Sequence, residues 1–367
     1  MEKIQIKDII NVLEAIAPPA LQEDYDNAGL LTGNLQDECS GVLCCLDATE
    51  AVLEEALRRN CNLVVAHHPV IFRGLKRITG NNYVERTIIK AIKNNIAVYA
   101  IHTNLDNVRD GVNGRVAEML GLTGCQPLVP KKGLKKLYTY VPLEQAEAVR
   151  KAVFAAGGGH IGNYSECSFN TNGTGTFKGS ADTHPFAGTP GIRHEEPEVR
   201  IEIIFPAWQQ RTVVKALMEA HPYEEPAFDI INLENSYMQT GSGLTGLLPH
   251  VADEEGFLQQ LKKVFGLKVV KHTALLGKPI QKVALCGGAG SFLLKDAIAS
   301  KSDIYISSDF KYHEYFDADN QIVIADIGHY ESEQFTINLL YDIIIEKFPN
   351  FAVLKTEINT NPVFYHA

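Results

Sequence analysis

Short apolar runs alternate with amphipathic stretches along most of this chain. Residues 41–46 form one such run, closed by Asp47-Ala48-Thr49, and residues 50–59 then follow a helical pattern. A second run, Cys61-Asn62-Leu63-Val64-Val65-Ala66, ends directly on His67-His68-Pro69, and residues 85–94 read as the next helix. A third run, residues 96–101, ends on His102-Thr103-Asn104-Leu105-Asp106. Apolar runs of about four to eight residues bounded by polar clusters predict buried strands. Pro69 biases His68 away from the helical region, so the chain leaves its sheet extended.

The last third of the chain repeats this order. Residues 282–285 lead into Cys286-Gly287-Gly288-Ala289-Gly290-Ser291, and residues 303–306 into Ser307-Ser308-Asp309 with His313 close behind. Residues 321–327 lead into Gly328-His329-Tyr330-Glu331-Ser332-Glu333, which opens a C-terminal helix. Strand–loop–helix units recurring in the same order predict an α/β fold: a pseudo-duplicated core with mainly parallel sheets and the polar strand ends gathered along one edge.

Between the halves the texture changes. A strand at 137–141, a helix at 143–156, a Gly-, Thr- and Ser-rich hairpin region at 170–191, a strand at 199–205, a helix at 209–220 and a strand at 227–233 follow one another. That order predicts an inserted ferredoxin-like α+β domain over residues 126–238, with core halves at 1–125 and 239–367. The Gly-rich region lacks the strand–loop–helix setting of a phosphate cradle, so it reads as turns.

With 367 residues the chain exceeds one ordinary hydrophobic core, which agrees with two or three domains. Its net charge of −10 disfavours general binding to nucleic acid or anionic membranes. The one basic cluster, Lys131, Lys132, Lys135 and Lys136, reads as a solvated linker. Seven cysteines, without Cys-x-x-Cys spacing and partly inside apolar runs, point to a reducing, cytoplasmic setting and not to a disulfide framework. No apolar stretch approaches the roughly 20 residues of a membrane span.

Candidate chemistry collects at three strand ends: His67 and His68, His102 and Asp106, His329 and Glu333. A lone histidine at such a place is more often structural than a ligand; two in succession, with two further histidine–carboxylate pairs, favour metal. The i, i+4 spacing of His329 and Glu333 places both on one helix face. Six donors exceed one tetrahedral site, and carboxylates are natural bridges between two cations. Histidine and carboxylate without thiolate suit zinc, iron or manganese. Asp47, Asp309 and His313 are candidates to orient ligands or touch a substrate, and are equally readable as strand-end turn residues.

Six ordered motifs, Asp26-Asn27-Ala28-Gly29-Leu30, Leu46-Asp47-Ala48-Thr49, Ala66-His67-His68-Pro69, His102-Thr103-Asn104-Leu105-Asp106, Cys286-Gly287-Gly288-Ala289-Gly290-Ser291 and Gly328-His329-Tyr330-Glu331-Ser332-Glu333, closely resemble the Nif-three-like family over essentially the whole chain. That resemblance implies a ring-shaped homohexamer with two divalent metal ions per chain. It implies His67, His68, Asp106, His329 and Glu333 as ligands, with Glu333 bridging, His68 and Asp106 on one ion, and His67 and His329 on the other. His102 would orient a ligand or substrate. The insert resembles the CutA/PII-like domain of longer members, with His221-Pro222-Tyr223-Glu224-Glu225 as its recognisable stretch; Tyr25 departs from the Trp of many members.

Members commonly carry the label GTP cyclohydrolase I (type 2) homologue, which implies metal-dependent hydrolysis of a nucleotide-like or phosphate-containing small molecule. No guanine-reading or triphosphate motif is visible in the residues themselves. The competing expectation is a non-enzymatic ring that binds metal or a metabolite and regulates.

Overall fold

Capped amphipathic helices and strands buried on both faces build the core. In the computed structural model, which describes residues 3–366, helix α1 (Ile6–Ile16) lays Ile6, Ile9, Ile10 and Leu13 inward and is followed by strand β1 (Gly29–Thr32). Strand β2 (Val42–Asp47), helix α2 (Glu50–Arg58), strand β3 (Leu63–His68), helix α3 (Tyr83–Lys93) and strand β4 (Ala97–Ala100) come next. Strands β2, β3 and β4 are mutually parallel, and β1 pairs antiparallel with β4. Thr49 and Asn82 cap α2 and α3 by accepting from the backbone N–H groups of Val52 and Glu85. Alternate strand residues serve two cores: Val42, Cys44, Leu63 and Val65 pack with α1, and Leu43, Cys45, Val64 and Ala66 with residues of α2 and α3. A sheet covered on both faces explains the unbroken apolar runs. Cys44 and Cys45 serve here as small apolar side chains.

Two short helices, α4 (Thr103–Asp106) and α5 (Val112–Met119), lead into strand β5 (Thr123–Lys132). Residues Lys131–Met238 form a compact unit of their own, and the chain to Pro130 joins the chain from Gln239 in the other. The smaller unit runs strand β6 (Leu134–Pro142), helix α6 (Ala146–Ala155), strands β7 (Phe169–Phe177) and β8 (His194–Pro206), helix α7 (Gln210–Ala220) and strand β9 (Phe228–Asn232). Its sheet order is β7-β8-β6-β9, with every neighbouring pair antiparallel. Leu137, Val141, Val149, Val153, Ile201 and Leu217 centre its core.

The larger unit resumes within strand β10 (Ser236–Ala252), followed by helix α8 (Glu254–Phe265) and strand β11 (Lys271–His272). Strand β12 (Ile280–Ala289), helix α9 (Leu294–Ala299), strand β13 (Ile304–Ser308) and strand β14 (Val323–Asp326) complete a second sheet, ordered β11-β14-β13-β12-β10-β5. Helices α10 (His329–Glu333) and α11 (Thr336–Lys347) follow, and strand β15 (Val353–Lys355) returns to pair parallel with β2. Each half thus runs helix, antiparallel edge strand, then three parallel strands with helical connections.

Three details depart from the sequence expectations. The second sheet is mixed and not mainly parallel, because β10 pairs antiparallel with β12. Strand β12 continues through Cys286–Ala289, where a loop is expected; Gly288, at φ +62°, accommodates an irregularity in its pairing with β13. His329 and Glu333 lie on a short helix of their own, separate from α11.

Candidate metal centre

Four histidines meet where the parallel strands end. His67, the fifth residue of β3, is fully buried, and its Nδ1–H donates to the carbonyl of Ile101 at 2.8 Å. His68 Nδ1 donates to Asp47 Oδ1 at 2.7 Å, between the last residues of the adjacent strands β3 and β2. His102, at the start of α4, donates through Nδ1 to Asp26 Oδ1 at 2.8 Å. His329 Nδ1 donates to Asp309 Oδ2 at 2.6 Å. Each ring therefore has one nitrogen fixed by an acceptor and keeps Nε2 for another partner, the arrangement that orients imidazole ligands in metal sites. The rings lie close together, with centroids 4.9 Å apart for His67 and His68, 5.4 Å for His68 and His102, and 5.3 Å for His68 and His329.

Glu333 lies buried among them. Its Oε2 is 3.0 Å from both His68 Nε2 and His329 Nε2, and its Oε1 is 3.9 Å from His67 Nε2. Asp106 Oδ1 is 3.5 Å from His67 Nε2. The distances put His68 and His329 against one Glu333 oxygen and His67, with Asp106, towards the other.

The electrostatics are those of a crowded anionic pocket. Burial raises the Glu333 carboxyl, but hydrogen bonding to the histidines outweighs it and holds the group well below the ordinary range. Asp106 is pushed up to about 7, first by burial and then by the Glu333 charge. Burial lowers His68, yet its bonds to Asp47 and Glu333 carry it to about 9; Asp309 and Glu333 raise His329 to about 11 in the same way. Burial raises Asp26, and its bonds to His102 and Thr103 bring it down to about 2.

Two atoms test whether this set fits a cation. His67 Nε2 and Asp106 Oδ1 are both buried without a hydrogen-bond partner. Such atoms cost about 1–3 kcal/mol each when left unpaired, and here they face one another. A cation held by nitrogen and oxygen donors would satisfy both. Among the described residues, three overlapping groups place their ligand atoms within 4.8 Å of one another: His67, His68 and His102; His68, His329 and Glu333; His67, Asp106 and Glu333. Imidazole and carboxylate donors suit zinc, iron or manganese.

The structure therefore brings His67, His68, His102, Asp106, His329 and Glu333 together and sets Asp47 and Asp309 behind two of the rings. It does not bring in His313, which is exposed on the turn Tyr312–Ala318 with its ring against Tyr312. Asp309, at φ +59°, begins the turn that leads there. Two contributors escaped sequence reasoning as site residues. Asp26 orients His102, and the motif around it was its only signal. Asn113 holds the loop behind the ligands: its Nδ2 donates to the Asp106 carbonyl, and its Oδ1 accepts from Gly287 N–H.

An α/β core that gathers histidines and carboxylates around a buried glutamate at its strand ends defines a protein with a candidate divalent-metal site. The chain belongs to the DUF34/NIF3 (NGG1p interacting factor 3) family, which it matches over residues 4–362. It is 37% identical over 360 residues to a GTP cyclohydrolase 1 type 2 homolog of Halalkalibacterium halodurans, covering 96% of this chain and 97% of that one. Its likeness to the Bacillus subtilis protein of the same name is 35% over 362 residues, covering 97% of each. Among solved structures, it is similar to a Bacillus cereus protein related to NIF3, with a TM-score of 0.87, 36% identity and full coverage of both chains. A Staphylococcus aureus protein, SA1388, follows the same fold with a TM-score of 0.78 and 27% identity, again over all of both chains. No helix among the described residues is long and apolar enough to cross a membrane.

Proposed function

We propose that this chain is a metal-dependent hydrolase with a dinuclear centre held by His67, His68, Asp106, His329 and Glu333, acting on a nucleotide-like or phosphate-containing small molecule. The observation that carries the reading is the fourfold anchoring of histidine Nδ1 atoms around a buried carboxylate, with His67 Nε2 and Asp106 Oδ1 unpartnered beside it. Divalent ions bound there supply Lewis acidity and acidify water at neutral pH. Glu333, with one oxygen near His68 and His329 and the other towards His67, is the bridging ligand in this reading. Asp47 and Asp309 hold two ligand rings in place, and His102, itself anchored by Asp26, orients a ligand or meets the substrate. The relatives' name supports hydrolysis as the reaction class.

The reading also takes residues 126–238 as an inserted ferredoxin-like module of the CutA/PII-like kind. The strand–helix–strand–strand–helix–strand order and the β7-β8-β6-β9 sheet support it. A homohexameric ring and a cytoplasmic setting come from the family resemblance and the cysteine usage. The compact unit of the insert, with a core of its own, favours one second reading: a regulatory assembly in which metal is sensed and nothing is turned over.

Elemental analysis after metal-replete purification should give two ions per chain, and one ion or none overturns the dinuclear centre. A nucleotide and phosphoester panel, with Glu333→Gln as control, then separates the two readings. Turnover lost in the control supports the hydrolase; a metal-loaded chain without turnover leaves the regulatory assembly. Light scattering of the purified chain tests the hexamer.

A further inference from the structure

The cavity at the metal centre has a volume of about 440 Å³, and its walls combine carboxylates with aromatic rings. Glu23, Asp47, Asp106 and Glu333 line it, and none of its lining residues is lysine or arginine. Tyr25, Phe72, Tyr83 and Phe292 also line it, and they are 65%, 45%, 63% and 65% exposed. Four exposed aromatic rings around one concave site form an apolar surface of the kind that serves to bind a ligand or a partner. They also adjoin the histidine cluster: the Tyr25 and Phe72 centroids are 6.4 Å apart, and the Phe72 and His102 centroids 6.3 Å.

We infer that this cavity takes a planar, uncharged heterocycle of the nucleobase or nucleoside kind, stacked on Tyr25 and Phe72 beside the metal ligands, and that it has no subsite for a polyphosphate. The inference rests on the metal-dependent reading and narrows its substrate class. Aromatic faces bind flat rings of any edge pattern, since stacking needs only the π-face. The wall amides do not compete to read ring edges, because the fold already uses them. Asn107 Nδ2 donates to the Leu21 carbonyl and Glu23 Oε1, and its Oδ1 accepts from the Ser242 hydroxyl. Asn113 is taken up by Asp106 and Gly287.

Beyond what the metal ions themselves could hold, phosphate recognition calls for arginine, lysine or a helix N-terminus free of negative charge. Three helices of eight or more residues begin at the cavity: α3, whose first residue Tyr83 lines it and whose first turn carries Glu85; α5, whose second residue Asn113 lines it with its amide already bonded to Asp106 and Gly287; and α2, whose cap Thr49 lines it. The first residue of α2 is Glu50, and its charge and that of Glu85 on α3 oppose an anion at those two helix starts. With the Phe72 and His102 centroids 6.3 Å apart, a ring stacked on Phe72 lies next to the metal ligands. The ring, or a group bonded directly to it, is then what meets the metal centre.

Equilibrium dialysis of the full chain loaded with Mn²⁺, with metal content measured on the same samples, tests this using guanosine, GTP and inorganic tripolyphosphate as probes. Guanosine should bind, GTP should bind no more tightly, and tripolyphosphate should not displace guanosine. Tyr25→Ala and Phe72→Ala should each weaken guanosine by about tenfold with metal content unchanged, and Phe72→Tyr should restore binding. GTP or tripolyphosphate outcompeting guanosine overturns the inference, as do alanine variants that bind like wild type. A metal-loaded chain that ignores guanosine overturns it too and leaves the metal reading standing. Guanosine binding, with these preferences, to a chain that retains no metal keeps the ring site and overturns the metal reading instead.

Discussion

Asp47 Oδ1 sits 2.7 Å from His68 Nδ1, and the two residues are register partners at the ends of the parallel strands β2 and β3. The second half of the core repeats the device. Asp309, just after β13, bonds His329, just after β14, at 2.6 Å. In both halves, a carboxylate at the end of one parallel strand fixes the imidazole at the end of the next, so the duplicated topology carries duplicated chemistry.

Neutralising these carboxylates should weaken metal binding without unfolding the chain. Asp47 is itself held by the Thr360 hydroxyl at 2.6 Å, so Asp47→Asn keeps its packing and loses the charge behind His68. Loss of such a partner typically costs about 10- to 100-fold in metal affinity. Asp309→Asn should fall in the same range. Chelator competition measures both; affinities within twofold of wild type, where about tenfold is the smallest expected loss, would show that the carboxylates do not tune the ligands.

The strand ends of this site could be read from the sequence because their signals are local. His67 and His68 follow an unbroken apolar run, and Glu333 lies four residues from His329. Asp47 and Asp309, at strand ends themselves, could be read as orienting candidates in the same way, but Asp26 could not, since it meets His102 across 76 residues of chain. Nothing in either segment specifies that encounter; packing does. The antiparallel pairing of β10 was hidden for the same reason: β10 is the strand that re-enters the core from the insert, and its partner β12 is fixed by tertiary structure. His313 misled in the opposite direction, since closeness in sequence to Asp309 did not survive the turn between them.

Gly288 should tolerate no side chain. Its φ is +62°, and a Cβ there would collide with Glu333 Oε1. Glu333 cannot swing aside freely, because His68 and His329 hold its other oxygen. Gly288→Ala should therefore displace Glu333 and lower metal content while most of the fold persists. Elemental analysis beside circular dichroism checks this. A variant with normal metal content would show that the Glu333 carboxylate relocates without cost.

The loop ahead of Tyr83 should become sensitive to acid. Glu85 accepts from Thr79 and Asn81 backbone N–H groups and from the Thr79 hydroxyl, and these bonds lower its pKa from 4.5 to about 2. A lowered carboxylate pKa adds stability that is full above the unfolded value and is lost as pH falls through the folded one. Wild type should be more stable than Glu85→Gln at neutral pH, and the gap should close between pH 4.5 and about 2. Urea unfolding of both proteins across that window reads the effect. A gap independent of pH would mean that the glutamine amide, and not the lost charge, causes the difference.

Glu333→Gln offers the sharpest test of the centre. The carboxylate is 3% exposed, touches two histidines through one oxygen and turns the other towards His67. Two cations close together repel strongly in a water-poor site, and a shared anion offsets that repulsion most directly. Glutamine keeps the size but loses the charge and one acceptor oxygen, so on the proposed dinuclear reading both metals should be held less tightly, by at least about tenfold. His102→Ala removes a ring that Asp26 anchors at the edge of the cluster, and it should cost less. Metal content of the two variants, purified with the same supplement, decides the roles. If Glu333→Gln retains two tightly bound ions while His102→Ala loses one, Glu333 does not bridge and His102 is a direct ligand.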